Sequence, residues 1–216
     1  MVVVGFVGEM RSGKTLFMTI MMHDDMVKGK KVMSNYNLAF KHEDLKIEKI
    51  DSSIRDKNTD YFDGKSIGID EIHVFMDARG SGQKRNKMLS YFLTQSGKLD
   101  TTIYWSSQFL RQVDVRLRLN TQNLYKVRRY IVVKGQKIAL RQDDKRTDFF
   151  IDAHKYFLRD TPKGMMFLYS KTITLKNPKK YFGLSDTKQR VYYEESKEDV
   201  EKEEKRLRKK RKDGVI

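Results

Sequence analysis

The sequence contains no cysteine in its 216 residues. Disulfides and cysteine-ligated metals are thereby excluded, and the composition fits a reducing compartment. No apolar run approaches the ~20 residues that a membrane-spanning helix needs. Nor does a basic stretch precede the first apolar run: Met1 leads straight into Val2-Val3-Val4, which is not the layout of a secretory leader. The expectation is a soluble, cytoplasmic protein. Prolines number two, and neither falls in the N-terminal half. Negative charge is also scarce, with 29 Asp and Glu against 45 Lys and Arg, a net charge of +16. A field of that sign points to a polyanion, either nucleic acid or an acidic membrane surface. A lysine-rich, solubilised surface is the plainer alternative.

What is present begins at once. Gly8-Glu9-Met10-Arg11-Ser12-Gly13-Lys14-Thr15 carries every fixed position of the phosphate-loop pattern G-x-x-x-x-G-K-[ST]. Before it, Val2, Val3, Val4, Phe6 and Val7 make a short β-branched run suited to a strand buried on both faces. After it, a helix is expected from about Gly13 to Met26, closed by Lys28-Gly29-Lys30. Strand, loop and helix in that order are the context the motif requires. Gly8 and Gly13 let the backbone curl so that its N–H groups point inward, and the helix N-terminus adds to an anion site. Lys14 would reach the β- and γ-phosphates of ATP, and the Thr15 hydroxyl would ligate Mg²⁺.

A second chemical stretch is Ser66-Ile67-Gly68-Ile69-Asp70-Glu71, an apolar strand ending in two carboxylates. Asp70 would hold Mg²⁺ through its water shell, and Glu71 would take a proton from the attacking water. Solvated acids at a strand end are the bland alternative. Thr102-Ile103-Tyr104-Trp105 reads as the next strand, ending in Ser106-Ser107-Gln108. If that strand lies beside the acidic one, the Gln108 amide can orient water without carrying charge. Arg116 and Arg118 follow, two positions apart, either as surface arginines or with one presented to a neighbouring subunit's nucleotide.

The remainder is read more coarsely. Lys31 to Ser34 is a second strand, residues 40–65 are mixed and polar, with Asp51-Ser52-Ser53 able to cap a short helix, and residues 86–97 form a helix. A β-hairpin is expected from Tyr125 to Arg141, with Lys134-Gly135-Gln136 as its connection, then strands at Phe149–Phe157 and Met165–Leu175, and a turn at residues 177–183. Antiparallel strands of this region (about 125–175) would extend the sheet begun by the phosphate-loop strand. Residues 191–216 are a charged tail, glutamate-rich and then basic, read as a projecting helix outside an ATPase domain of residues 1–190.

Taken together, GEMRSGKT, SNYNL, IDEIH, the run SYFLTQSGKLDTTIYWSSQFLRQVDVRLRLNT and the late NPKKYFGLSDT resemble the zonular-occludens-toxin-like ATPases, within the FtsK–HerA group of P-loop motors. The resemblance covers residues 1–187. It implies an α/β, RecA/ASCE-like P-loop NTPase fold with a mostly parallel central sheet extended by antiparallel strands. It also implies ATP and Mg²⁺ as cofactors, ATP hydrolysis to ADP and phosphate, a homo-oligomeric ring, and double-stranded DNA as the partner. The chain would be a virus- or plasmid-encoded translocating or genome-packaging motor, working in the host cytoplasm if viral. By the same resemblance Lys14, Thr15, Asp70, Glu71 and Gln108 keep the roles given above, and Arg116 and Arg118 match the family's arginine-bearing segment. Relatives often carry arginine where this chain has Gly97, so Lys98 or a later arginine would have to substitute. Filamentous-phage assembly members usually have a transmembrane segment, which this sequence lacks. A virion-assembly or secretion ATPase with a membrane partner is the alternative, and a small-molecule kinase or a nucleotide switch without turnover are further ones.

Overall fold

The structure, a computed structural model, describes residues 2–46, 50, 52–53, 59–74, 91–94, 98–141, 144, 148–162 and 164–185. The expected charged tail and most of the expected helix at 86–97 lie outside them; residues 91–94 of the latter are helical. One nine-stranded sheet organises the described residues. Its strands are β1 (Val2–Val7), β2 (Lys31–Ser34), β3 (Glu43–Asp44), β4 (Lys65–Ile69), β5 (Thr102–Ser107), β6 (Asn123–Val133), β7 (Gln136–Ala139), β8 (Phe150–Thr161) and β9 (Gly164–Leu175). The order is β3-β2-β4-β5-β1-β6-β8-β9, with β7 paired to β6 beside that path. Helix α1 spans Lys14–Val27 and the short α2 spans Val115–Asn120.

From β3 to β6 along that order, neighbouring strands are parallel. The antiparallel extension therefore starts one strand later than expected: β6 joins β1 in parallel, and only β7, β8 and β9 run antiparallel. Strand β6 can serve both partners because it has 11 residues. Its first half matches β1, while its far end overshoots and folds back through Lys134-Gly135. Both turn residues have positive φ, 50° and 80°, as a type I′ hairpin demands.

Burial explains the valine run of β1. Val4 and Phe6 face α1 with Leu16, Phe17, Met18, Met22, Tyr125 and Val127. Val3 and Val7 face the opposite layer with Ile67, Ile69, Ile103, Trp105 and Leu117. A strand in the middle of a covered sheet has no solvent face, so apolar residues need not alternate with polar ones. Strand β4 is buried along its whole length, Lys65 included. That lysine escapes the usual penalty because its Nζ meets Glu43 at 3.2 Å and lies 3.6 Å from the centre of the Tyr61 ring. The far end of α1 is tied to the sheet by Asp25, which accepts from Ser66 Oγ and Tyr104 Oη, both at 2.9 Å.

In register, Gly5 of β1 stands opposite Trp105 of β5. Trp105 is fully buried and its Nε1 donates to Thr121 Oγ1 at 3.1 Å, which fixes the ring. A Cβ at position 5 would collide with the six-membered part of that ring, lying 2.6 Å from Cε2. Glycine is required here by the indole, not by backbone conformation. Gly5→Ala should therefore destabilise the fold by about 1–3 kcal/mol, the scale of an overpacked core, read as a lower thermal midpoint. An unchanged midpoint would show that the indole can move aside.

Candidate active site

The parallel registers bring three strand ends to one edge. Val7 pairs with Ser107 and Ile69 with Trp105. Gly8, Asp70 and Gln108, which follow β1, β4 and β5, therefore emerge side by side at the carboxyl edge of the sheet, where open α/β folds place ligands. Strand β5 lies between the phosphate-loop strand and the acidic strand, so Gln108 does follow the neighbour of the acidic strand, as the sequence reading required.

The loop itself is closed and ordered. Gly13 takes φ 97°, a left-handed conformation, directly before α1, and its carbonyl accepts from Phe17 N at 2.9 Å. A Cβ there would also sit 2.6 Å from Ile151 Cδ1 of β8. Lys14 is buried, and its Nζ donates to the Glu9 carbonyl at 3.1 Å, a contact that draws the ammonium into the curve of the loop. Burial pushes the Lys14 pKa down, and the charges of Glu71 and Asp70 partly restore it.

Opposite the loop, Thr15 Oγ1 donates to Asp70 Oδ1 at 3.0 Å. Ser106 of β5 also donates to Asp70 Oδ1, and its Oγ accepts from Glu71 N at 3.1 Å. Asn35 clamps the same turn from the other side, its Oδ1 accepting from Asp70 N at 2.8 Å and its Nδ2 donating to Asp70 O at 3.1 Å. Asn35 and Ser106 are thus positioning residues that the sequence reading did not single out. The available signals were the SNYNL segment at the end of β2 and a small hydroxyl residue just before Gln108. The hydroxyl and carboxylate at Thr15 and Asp70 are hard oxygen donors of the kind Mg²⁺ takes. No cluster of three or more His, Cys, Asp or Glu capable of holding a metal occurs among the described residues, so any cation here would rely on phosphate and water for most of its ligands.

Glu71 has φ 51°, and its Oε2 lies 3.2 Å from His73 Nδ1. Burial first, and then the neighbouring Asp70 charge, push its pKa up, while Lys14 and His73 pull it back. Gln108 is half-buried and shares a cavity wall with Gly8 and Glu9. The two arginines fare differently. Arg116 forms a two-pronged pair with Asp114, Nε to Oδ1 at 2.9 Å and Nη2 to Oδ2 at 2.8 Å, and the same carboxylate caps α2 through Arg116 N. The Asp114 side chain is 0% exposed. Arg118 Nε, in contrast, is buried and has no hydrogen-bond partner among the described residues.

Fold and loop together define a P-loop NTPase architecture, a mixed α/β sheet with mostly parallel strands. Among solved structures, the N-terminal domain of zonular occludens toxin from Neisseria meningitidis matches with a TM-score of 0.53 and 18% identity, over 86% of this chain and 100% of that one. That likeness establishes a shared fold. A looser match is the genome packaging NTPase B204 of Sulfolobus turreted icosahedral virus 2, with a TM-score of 0.48 and 14% identity over 80% of this chain and 98% of that one. An isolated ATPase domain of a third protein gives 0.49 and 12% identity over 87% and 85%. Comparison with protein-family models returns no match, and comparison with curated protein sequences returns none either. No described helix is long and apolar enough to cross a membrane.

Two stability tests follow from the site. A carboxyl held above its ordinary range binds its proton more tightly in the folded state, so stability is lost as pH rises through that range. Glu71→Gln should therefore raise the melting temperature at neutral pH, and the gain should vanish as pH falls below about 4.3, the unperturbed glutamate value. A gain that persisted in acid would assign the effect to packing. Arg116→Ala strips the two-pronged guanidinium pair from the buried Asp114 carboxylate and should cost about 3 kcal/mol in chemical denaturation. Arg116→Ala with Asp114→Asn should recover part of that loss; no recovery would mean the pair is not what holds α2.

Proposed function

We propose that this chain is an ATP-hydrolysing motor that moves DNA, working as a homo-oligomeric ring. The observation that carries the reading is the convergence of Lys14, Thr15, Asp70 and Glu71 across one edge of the sheet, with Gln108 beside them. In this reading the loop amides and Lys14 bind the phosphates of ATP. When bound at Thr15 and Asp70, Mg²⁺ would neutralise charge on the β- and γ-phosphates. Glu71 accepts the proton of the attacking water, and its raised pKa brings it closer to the working pH of a general base. Gln108 orients that water. Two acids and an amide suit water as acceptor better than the hydroxyl of a small metabolite.

The net charge of +16 supports a polyanionic substrate, and the ordered motif set supports the translocating or genome-packaging branch. A ring places each nucleotide at a subunit boundary, where an arginine of the segment after Gln108 can act on the neighbouring site. Arg118 is better suited than Arg116 to that role. Arg116 is committed to a buried carboxylate, whereas the Arg118 guanidinium is incompletely satisfied among the described residues of its own subunit.

The deciding measurement is ATP turnover with and without DNA over a salt series. Turnover should rise with DNA, and the stimulation should fade as salt increases. Glu71→Gln should retain ATP binding and lose turnover by about a hundredfold or more. Turnover indifferent to DNA would favour the virion-assembly or secretion alternative, and normal turnover in Glu71→Gln would move the base elsewhere.

A further inference from the structure

A cavity adjoins the phosphate site, lined on one side by Gly8, Glu9, Met10 and Ser12 of the loop. It measures about 690 Å³, and Lys14, Thr15 and Asp70 take no part in its lining. Its remaining walls come from the segment that follows β5 and from the β6–β7 hairpin. Lys126 and Arg128 line one flank, and Phe109, Tyr156 and Phe167 supply aromatic faces. Strand alternation explains the placement. Tyr125 and Val127 turn towards α1, so Leu124, Lys126 and Arg128 share the opposite face, with Leu124 as floor.

Three features mark this groove as more than packing. First, the side chains of Lys126 and Arg128 are exposed and form no hydrogen bond or ion pair with any described residue. Arg129 beside them is held, donating to the Arg141 carbonyl at 3.1 Å. Second, Ser12 is only 5% exposed, contributes to the wall, and its Oγ has no hydrogen-bond partner among the described residues. Third, Gln108, Gly8 and Glu9 belong to the same wall, so an occupant would touch both the loop and the water-orienting amide. Among the described residues of the lining, Glu9 is the one carboxylate, against three cations.

We propose that this groove binds single-stranded nucleic acid, with Lys126 and Arg128 taking successive backbone phosphates and unpaired bases entering against Phe109, Tyr156 and Phe167. The inference rests on the DNA-motor reading and narrows it. Two cations two residues apart on one strand face stand about 7 Å from each other, close to one phosphate step of an extended strand. Aromatic faces reward bases whose π-faces are free, which a stacked duplex does not offer. The volume lies in the small-ligand range of about 300–1,000 Å³, enough for a few nucleotides and too little for a duplex. Occupancy presses on the Gln108–Phe109 segment and on Glu9, which links strand binding to ATP turnover.

The test is fluorescence anisotropy of the full chain with a labelled oligothymidylate and with a duplex of equal length, over a salt series. The single strand should bind at least about tenfold more tightly than the duplex. Lys126→Ala with Arg128→Ala should make its log–log salt slope shallower by about 1.4, at roughly 0.7 per cation. Tyr156→Leu should weaken single-strand binding roughly tenfold while leaving the slope unchanged. Both variants should also reduce stimulation of ATP turnover by the oligonucleotide. Melting curves verify folding, and since Lys126 and Arg128 are exposed the double variant serves even where Tyr156→Leu is unstable. Equal or tighter duplex binding, an unchanged slope in the double variant, or competitive displacement of the oligonucleotide by an ATP analogue would overturn the proposal. DNA stimulation that persists undiminished in the double variant removes the groove and keeps the motor. No DNA binding or stimulation in the unmodified chain removes both.

Discussion

A carboxylate one strand away from the phosphate loop can meet it only if the strand between them ends small. Strand β5 is that strand, and its last two residues are Ser106 and Ser107. Ser106 leaves space for Asp70 to reach Thr15, and it also turns the gap into a junction. One hydroxyl donates to Asp70 and accepts from Glu71 N, so the two acids are set relative to each other through a third residue. Asn35 fixes the same turn through the Asp70 backbone on the β2 side. The acids are thus held by both neighbouring strands, and their geometry inherits the rigidity of a buried parallel sheet. A side chain as large as valine at position 106 would remove the hydroxyl and crowd the meeting point at once.

The features legible in the sequence were those carried by local pattern. The valine run, the glycine-lysine-threonine loop and the helix behind it lie within twenty-seven consecutive residues, and α1 spans Lys14–Val27 against an expected Gly13 to Met26. Lys134-Gly135-Gln136 marked the hairpin one residue too long, since the turn is the pair Lys134-Gly135 with positive φ at both positions and Gln136 already belongs to β7. What the sequence did not disclose was pairing. Nothing in Asn123–Val133 says that its first residues lie parallel to β1 while its last fold onto β7, because strand direction depends on what the chain does between strands. The two-residue β3 was equally hidden, since Glu43 and Asp44 have low strand propensity and are placed by pairing with Met33 and Ser34.

In the candidate site the same division holds. Residues whose type announces chemistry, Lys14, Thr15, Asp70 and Glu71, stood out from a loop pattern and from a strand ending in two acids, and the fold brings them near one another. Residues whose type is ordinary, Asn35 and Ser106, acquire a role only from the register that brings them to Asp70. The arginines show the converse. Arg116 and Arg118 looked equivalent along the chain, but α2 separates them. One is drawn to Asp114, the residue that caps the helix, and the other keeps a buried Nε with no hydrogen-bond partner among the described residues. Sequence distance of two residues on a helix is about 200° of rotation, enough to give the two guanidinium groups unrelated surroundings.

The electrostatics of the edge follow from burying opposite charges close together but not in contact. Lys14 is pushed towards losing its proton and Glu71 towards keeping one, in both cases chiefly by burial. Each mitigates the other's cost, yet Lys14 donates to a neutral carbonyl and Glu71 faces His73, so neither charge is neutralised by direct pairing with the other. A triphosphate entering this space would act on them in opposite senses. It would stabilise the Lys14 ammonium, and by adding negative charge it would raise the Glu71 pKa further. A cation at Thr15 and Asp70 opposes that second effect, since it brings positive charge to the acid adjoining Glu71. Phosphate binding and the ionisation of Glu71 are therefore antagonistic unless the cation arrives with the phosphates, which is a physical reason for the loop threonine and the first carboxylate to touch.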